Sequence, residues 1–216
     1  MANQTTYVIE TIIQRIDQGT YLPGQVLDET GIAEELGVSR TPVREAFIRL
    51  ESDGLILRGG RRGAKLFKPD TNEFLQILEL HATLEAQAAE LAARRATDET
   101  AARLDENIKA SERHLAAHGD AAHREYYQLN LQFHEIIIDA AANPYLSEMI
   151  KLTARKLMAY YRNRYAFKGA TAASVSEHKT ISAYIKSKDA LAARGAMKQH
   201  FEYGLDTVMD LLAAAN

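Results

Sequence analysis

The chain has 216 residues, 46% of them apolar and 25% charged, with a formal net charge of −3. These figures describe a soluble globular protein of one or two domains and argue against a non-specific polyanion binder. The absence of cysteine excludes disulfides, thiolate catalysis, iron–sulfur clusters and sulfur-bound zinc, so any metal must use His, carboxylate or amide ligands.

The first six residues lack the basic and apolar segments of a signal peptide, and no apolar run approaches the roughly 18 residues of a membrane span. A cytoplasmic protein without membrane contact is the expectation. Composition then divides the chain near Lys68-Pro69-Asp70. Residues 1–69 hold eight of the twelve glycines and three of the four prolines, whereas the remainder is rich in Ala, Leu, Glu, Gln and Arg. Two domains are expected, 1–69 and 70–216, the first small and turn-rich, the second all-helical.

In the first domain, Val8, Ile9, Ile12, Ile13 and Ile16 recur at helical spacing before Asp17-Gln18-Gly19 and a turn at Leu22-Pro23-Gly24. A short second helix is predicted from about Asp28 to Leu36, with Gly37 at its end supplying positive φ. Ser39 or Thr41 caps a third helix running to about Ser52, and Pro42 is tolerated in its first turn. Val43, Phe47 and Leu50 should pack inward, leaving Arg40 and Arg44, one turn apart, to point elsewhere. Helix, glycine turn and capped helix at this spacing suggest a helix-turn-helix, whose second helix enters the DNA major groove. Arginine is well suited to bridge guanine O6 and N7.

Downstream, Leu55-Ile56-Leu57 and Ala64-Lys65-Leu66-Phe67 flank Arg58-Gly59-Gly60-Arg61-Arg62-Gly63, as in a β-hairpin wing that meets phosphate or the minor groove. Residues 40–68 carry eight basic against three acidic side chains, net +5. By pattern alone the same arginines also suit a solvated face on a three-helix domain.

The stretch Gly37-Val38-Ser39-Arg40-Thr41-Pro42-Val43-Arg44-Glu45-Ala46 is preceded by Leu22-Pro23-Gly24-Gln25-Val26-Leu27 and followed by Leu50-Glu51-Ser52-Asp53-Gly54-Leu55-Ile56. Together these motifs resemble the N-terminal domain of GntR-type transcription regulators. The resemblance implies that Arg40, Thr41 and Arg44 contact an operator in double-stranded DNA, with the wing near Gly60 and Arg61 contributing.

From Asn72 onward the pattern predicts an antiparallel bundle of about six helices, roughly 71–95, 98–117, 121–141, 145–166, 175–187 and 189–213, with a polar loop from Gly169 through Ser174. All seven histidines lie here. Asn130 and His134 share one helical face amid apolar residues, and His178 and His200 sit on later helices. Three imidazoles converging in one core suit a facial metal site, and three separate hydrogen-bonded core histidines suit the same pattern. His114, His118 and His123, around Gly119, are expected to face solvent.

Leu84-Glu85, Ala88-Ala89-Glu90-Leu91-Ala92, Asn130 through His134, Asn143-Pro144, Glu177-His178 and Met197 through His200 are similar to the FCD ligand-sensing domain of the FadR subgroup. That resemblance implies a divalent metal, often zinc or nickel, held by Asn130, His134, His178 and His200, and a small organic acid effector that completes the coordination. Asn130 stands where Asp is frequent, and a neutral amide oxygen is a weaker ligand for a dication than carboxylate. His81 stands where relatives carry an Arg that meets the effector carboxylate, and Arg155 and Arg162 are candidates to restore positive charge there.

The expected function is an effector-responsive DNA-binding regulator and not an enzyme: a homodimeric repressor on an inverted-repeat operator. A metal-dependent enzyme using the three histidines is the rival, weakened because the His134-Glu135 start of a zincin motif meets Ile138 where a second His is needed. An effector-independent architectural DNA binder is the third reading.

Overall fold

A computed structural model describes residues 4–58 and 64–202, without the side chains of residues 158, 159, 162 and 163. The chain divides into two units, Met1–Glu73 and Phe74–Asn216.

In the first unit, α1 (Gln4–Gln18) buries Val8, Ile12 and Ile16, a spacing of four residues that keeps one face inward. After β1 (Val26–Leu27), helix α2 (Glu29–Leu36) starts on Asp28, whose carboxylate accepts the Gly31 N–H at 2.8 Å. It stops at Gly37, which takes the left-handed conformation at φ 65° and donates its N–H to the last-turn carbonyls. Helix α3 (Arg40–Ser52) follows from an extended Ser39 that makes no side-chain cap, and it accommodates Pro42 in a first turn whose N–H groups have no helical partner. As the spacing requires, Val43, Phe47 and Leu50 are fully buried.

β2 (Ile56–Arg58) and β3 (Ala64–Leu66) form the expected antiparallel hairpin, with Ile56 opposite Leu66 and Arg58 opposite Ala64. Its tip, including Gly60 and Arg61, lies outside the described residues. β1 joins the free edge of β3, giving a three-stranded sheet in the order β1-β3-β2. A strand of two residues has no periodicity to read, so the hydrophobic pattern does not disclose it.

The second unit contains α4 from its Phe74 onward (the helix spans Thr71–Arg95), α5 (Asp98–His118), α6 (His123–Ala140), α7 (Pro144–Arg164), α8 (Ala170–Lys186) and α9 (Ala190–His200). Thr97 caps α5 by accepting the Thr100 N–H, and Asn143 performs the same service for Leu146 before Pro144 opens α7. Phe74, Leu104, Phe133, Ile137, Leu157 and Ile181 belong to a continuous core.

Two expectations need correction. Residues 170–174 are the first turn of α8 and not a loop, because Gly169 adopts the left-handed conformation just before it and Thr171 and Ser174 are fully buried. His114 is not a solvent-facing side chain: it is half-buried, its Nε2 hydrogen-bonds the Ala122 carbonyl at 3.0 Å, and its ring packs 6.0 Å from that of Tyr126. The part of the predicted last helix beyond residue 202 lies outside the described residues. Among the described residues, no helix is long and apolar enough to cross a membrane.

A Cβ added at Gly37 meets nothing within 4 Å, so any cost of Gly37→Ala comes from the backbone alone. Urea unfolding should show a loss of about 1 kcal/mol for Gly37→Ala and a smaller one for Gly37→Asn, since Asn tolerates the left-handed region better.

Candidate functional site

Two places in the molecule gather the residues singled out by sequence. On α3, Arg40, Thr41 and Arg44 are all exposed on the side away from Val43 and Phe47. Thr5 of α1 donates a 2.6 Å hydrogen bond to Glu45 on α3, and buried Ile32 and Ala33 of α2 belong to the same core. Arg44 donates its Nε–H to Glu29 of α2 at 2.9 Å.

The other place is the interior of the helical unit. Nitrogens of His134 (α6), His178 (α8) and His200 (α9) all lie within 4.8 Å of one another, and the three residues are buried. The ring centroids are 5.5 Å apart for His134 and His178, 5.3 Å for His134 and His200, and 4.8 Å for His178 and His200. Phe133 stacks flat on His178 at 3.8 Å, fixing that ring's plane.

Carboxylates hold the other two rings. His134 donates Nδ1–H to Glu85 of α4 at 3.2 Å, and His200 donates Nδ1–H to Glu177 of α8 at 2.6 Å. In the neutral form of each ring this bond leaves the lone pair on Nε2, the tautomer that suits metal ligation. His178 has both ring nitrogens buried and without a hydrogen-bond partner.

Burial keeps two of these rings, His178 and His200, neutral. Burial pushes His200 down to about 4 despite the opposing pull of Glu177, and burial together with the neighbouring His200 and His134 holds His178 well below the ordinary range. Burial works to raise the Glu85 carboxyl, but the contact with His134, together with the nearby His81 and His200, holds the group below the usual carboxylate range. Glu177 is lowered in the same way, against burial, by its bond to His200 and by Arg164, 3.7 Å away.

Asn130 is buried one turn before His134, and its Oδ1 accepts the Tyr165 hydroxyl at 2.7 Å. His81 is buried beside Glu85, with Nε2 3.7 Å from that carboxylate and Nδ1 2.7 Å from Thr153 Oγ1 on α7. Burial lowers it to about 4 against the attraction of Glu85, so it carries no charge at neutral pH. Of the arginines expected to replace the missing charge, Arg155 is half-buried on α7 and the side chain of Arg162 lies outside the described residues. Among the described residues, Arg164 is a buried cation beside the site, and it electrostatically lowers both His178 and His200.

Sequence reasoning assigned no role to Glu85, Glu177, Thr153, Arg164 or Tyr165. A signal exists for Glu85: it is the one carboxylate on a buried face of α4 made of Phe74, Leu78, His81 and alanines, four residues after His81. The three rings and their carboxylates could hold a divalent cation. Three nitrogens each about 2.1 Å from one ion in a tetrahedral arrangement lie about 3.4 Å apart, so the nitrogens, which lie within 4.8 Å of one another, would have to draw inward to hold one.

Comparison with known proteins matches two family models: "Bacterial regulatory proteins, gntR family" over residues 4–66 and "FCD domain" over residues 76–203. The chain is 32% identical over 213 residues to the Uxu operon transcriptional regulator of Escherichia coli (strain K12), covering 84% of this chain and 77% of that protein. It is 29% identical over 198 residues to the uncharacterized HTH-type transcriptional regulator YdhC of Bacillus subtilis (strain 168), covering 91% of this chain and 87% of the relative. The solved structure of E. coli McbR/YncC superposes with a TM-score of 0.80 at 23% identity, over 100% of both chains, which supports the fold.

Tyr165→Phe removes the hydroxyl that satisfies Asn130 and leaves a buried amide oxygen short of a partner. A loss of about 1–2 kcal/mol in urea unfolding is expected.

Proposed function

The chain belongs to the gntR family of bacterial regulatory proteins and carries an FCD domain, and from this we infer that it is a cytoplasmic, metal-dependent, metabolite-responsive repressor. That it is a DNA-binding transcription regulator and not an enzyme follows from the family itself.

In this reading α3 enters the major groove of operator DNA. Arg40, Thr41 and Arg44 meet the DNA, and the wing residues Gly60 and Arg61 reach the adjacent backbone or minor groove. The exposure of the three α3 side chains supports it, as does the rigid seat of α3 on its buried face. Two copies of the chain bind an inverted repeat, because a two-fold dimer presents the same helix to each half-site.

The helical unit holds a divalent cation, zinc or nickel, through His134, His178 and His200, with Asn130 as a fourth, weaker ligand. The observation that carries this assignment is His178, a fully buried imidazole with neither nitrogen satisfied, facing two rings whose tautomers are already set by carboxylates. Bound there, the ion would supply an acceptor site for a carboxylate oxygen of a small organic acid. His81, Arg155 and Arg162 are the chain's candidates to contact that effector. His81, neutral and bonded to Thr153, orients a ligand by hydrogen bonding and not by charge.

Effector binding that favours one dimer arrangement over the other lowers operator affinity by linkage, and repression is relieved. The hydrogen bonds that Glu85 and Glu177 accept from His134 and His200 tune the site by fixing ring orientation.

Elemental analysis of purified protein should find about one zinc or nickel per chain, lost in His178→Ala. Glu177→Gln should weaken affinity for that metal by roughly 10–100-fold, measured by competition with a chromophoric chelator. Protein that stays free of metal after reconstitution with zinc and with nickel would sink the metal assignment and leave a directly hydrogen-bonded ligand in the same cavity. Gel shifts with the metal-loaded protein and a panel of small organic acids test regulation: operator affinity should fall with one of them and stay constant with His178→Ala.

A further inference from the structure

The pairing of Arg44 with Glu29 links two helices of the DNA-binding unit at atomic detail. Glu29 is the first residue of α2, behind the Asp28 cap, and only 17% of its side chain is exposed, whereas the Arg44 side chain is 55% exposed. The carboxylate thus sits on a docked helix while the guanidinium projects outward. Its contact is made through Nε alone, at 2.9 Å. Among the described residues, Nη1 and Nη2 of Arg44 have no partner, and Arg40, one turn earlier, has none for any of its donors.

An exposed ion pair contributes little to folding stability, so stability does not account for this arrangement. Its geometric effect is larger. A free arginine samples many rotamers and can approach a base edge end-on through Nη1 and Nη2, or side-on through Nε and one Nη. With Nε–H already donated to Glu29, the side-on mode is closed and the end-on fork is presented alone. That fork matches the O6 and N7 acceptors of guanine.

The charge matters as well. An unpaired arginine attracts any phosphate, whereas one neutralised by an adjacent carboxylate contributes less to sequence-independent binding.

We propose that Glu29 is a positioning residue for DNA recognition: by holding Nε of Arg44 it commits that side chain to end-on reading of a guanine, and its charge suppresses non-specific binding. The proposal rests on the reading of Arg44 as a base contact and extends it to a residue that touches no base itself. The wrong-sequence penalty and the non-specific affinity are then set by one carboxylate, in opposite directions.

The test starts from a duplex selected out of a random library by the full-length protein. Affinities of the wild type, Arg44→Ala, Glu29→Ala and Glu29→Gln are compared on that duplex, on variants with each guanine replaced, and on a scrambled duplex. Arg44→Ala should abolish discrimination at one base pair per half-site. Glu29→Ala should lose discrimination at the same pair by about tenfold while binding scrambled DNA about threefold more tightly. Glu29→Gln keeps an acceptor for Nε but not the charge, so it should retain discrimination and still bind scrambled DNA more tightly.

A destabilised fold would weaken binding to every duplex, the opposite of the gain expected on scrambled DNA, and thermal melts of the two Glu29 variants check this directly. Wild-type discrimination in Glu29→Ala, or unchanged affinity for scrambled DNA in both Glu29 variants, overturns the proposal. Should Arg44→Ala leave every position unchanged, the base-reading role of Arg44 falls first and the role of Glu29 with it.

Discussion

The interior of the helical unit is governed by the cost of burying imidazoles. A buried nitrogen without a hydrogen-bond partner forfeits its hydration, and a charged imidazole in the same place forfeits far more, so burial holds His81, His178 and His200 neutral and makes every buried ring nitrogen seek a partner. His134 and His200 find them in Glu85 and Glu177. Those carboxylates come from α4 and α8, so the rings tie α6 to α4 and α9 to α8 through charge-assisted bonds. Each carboxylate is itself a buried or half-buried anion made tolerable by the N–H it receives. Thr153 engages His81, Tyr165 engages Asn130, and Arg164 lies beside Glu177. His178 stands apart because its ring is locked by Phe133 while both nitrogens stay unsatisfied. A buried, neutral imidazole with both nitrogens unsatisfied, facing two rings that carboxylates hold by Nδ1, is the physical basis for the proposed cation.

The DNA-binding unit solves a different problem. It is small, with a core drawn from three helices and a short sheet, and it must present polar side chains without letting them wander. Full burial of Val43, Ala46, Phe47 and Leu50 sets the rotation of α3 about its axis, which decides which residues face outward. Two polar contacts then refine the presentation: Thr5 with Glu45, and Glu29 with Arg44. The first joins α1 to α3, and the second joins α2 to α3. Such contacts contribute little to stability yet narrow the conformations available to an exposed side chain, which matters for the proposed end-on contact of Arg44 with a base.

Much of this architecture was legible in the chain. Local signals mark helix ends well: Asp28, Thr97, Asn143 and Pro144 lie where caps are found, and Gly37 takes the left-handed turn anticipated for it. Where the local signal was ambiguous, reading failed. The run from Ala170 to Ser174 follows a glycine and holds only small residues with no apolar periodicity, so it passes for a loop, but burial of Thr171 and Ser174 makes it the start of α8. His114 was misplaced for a related reason, since its partner is a backbone carbonyl eight residues on, across the Gly119 corner. β1 owes its existence to an exposed edge of β3 and to no pattern within its own two residues.

By itself the sequence determined the helical content, the compositional break, the inward face of α3 and the candidacy of His134, His178 and His200, because these depend on periodicity and residue chemistry over short spans. Only the tertiary structure decided that the three rings meet, that Glu85 and Glu177 set the tautomers of two of them, and that Glu29 claims one donor of Arg44. Those pairs are separated by 49, 23 and 15 residues along the chain. No local preference links residues so far apart; helix packing brings them together, and the penalty for unpaired buried polar groups selects which atoms meet.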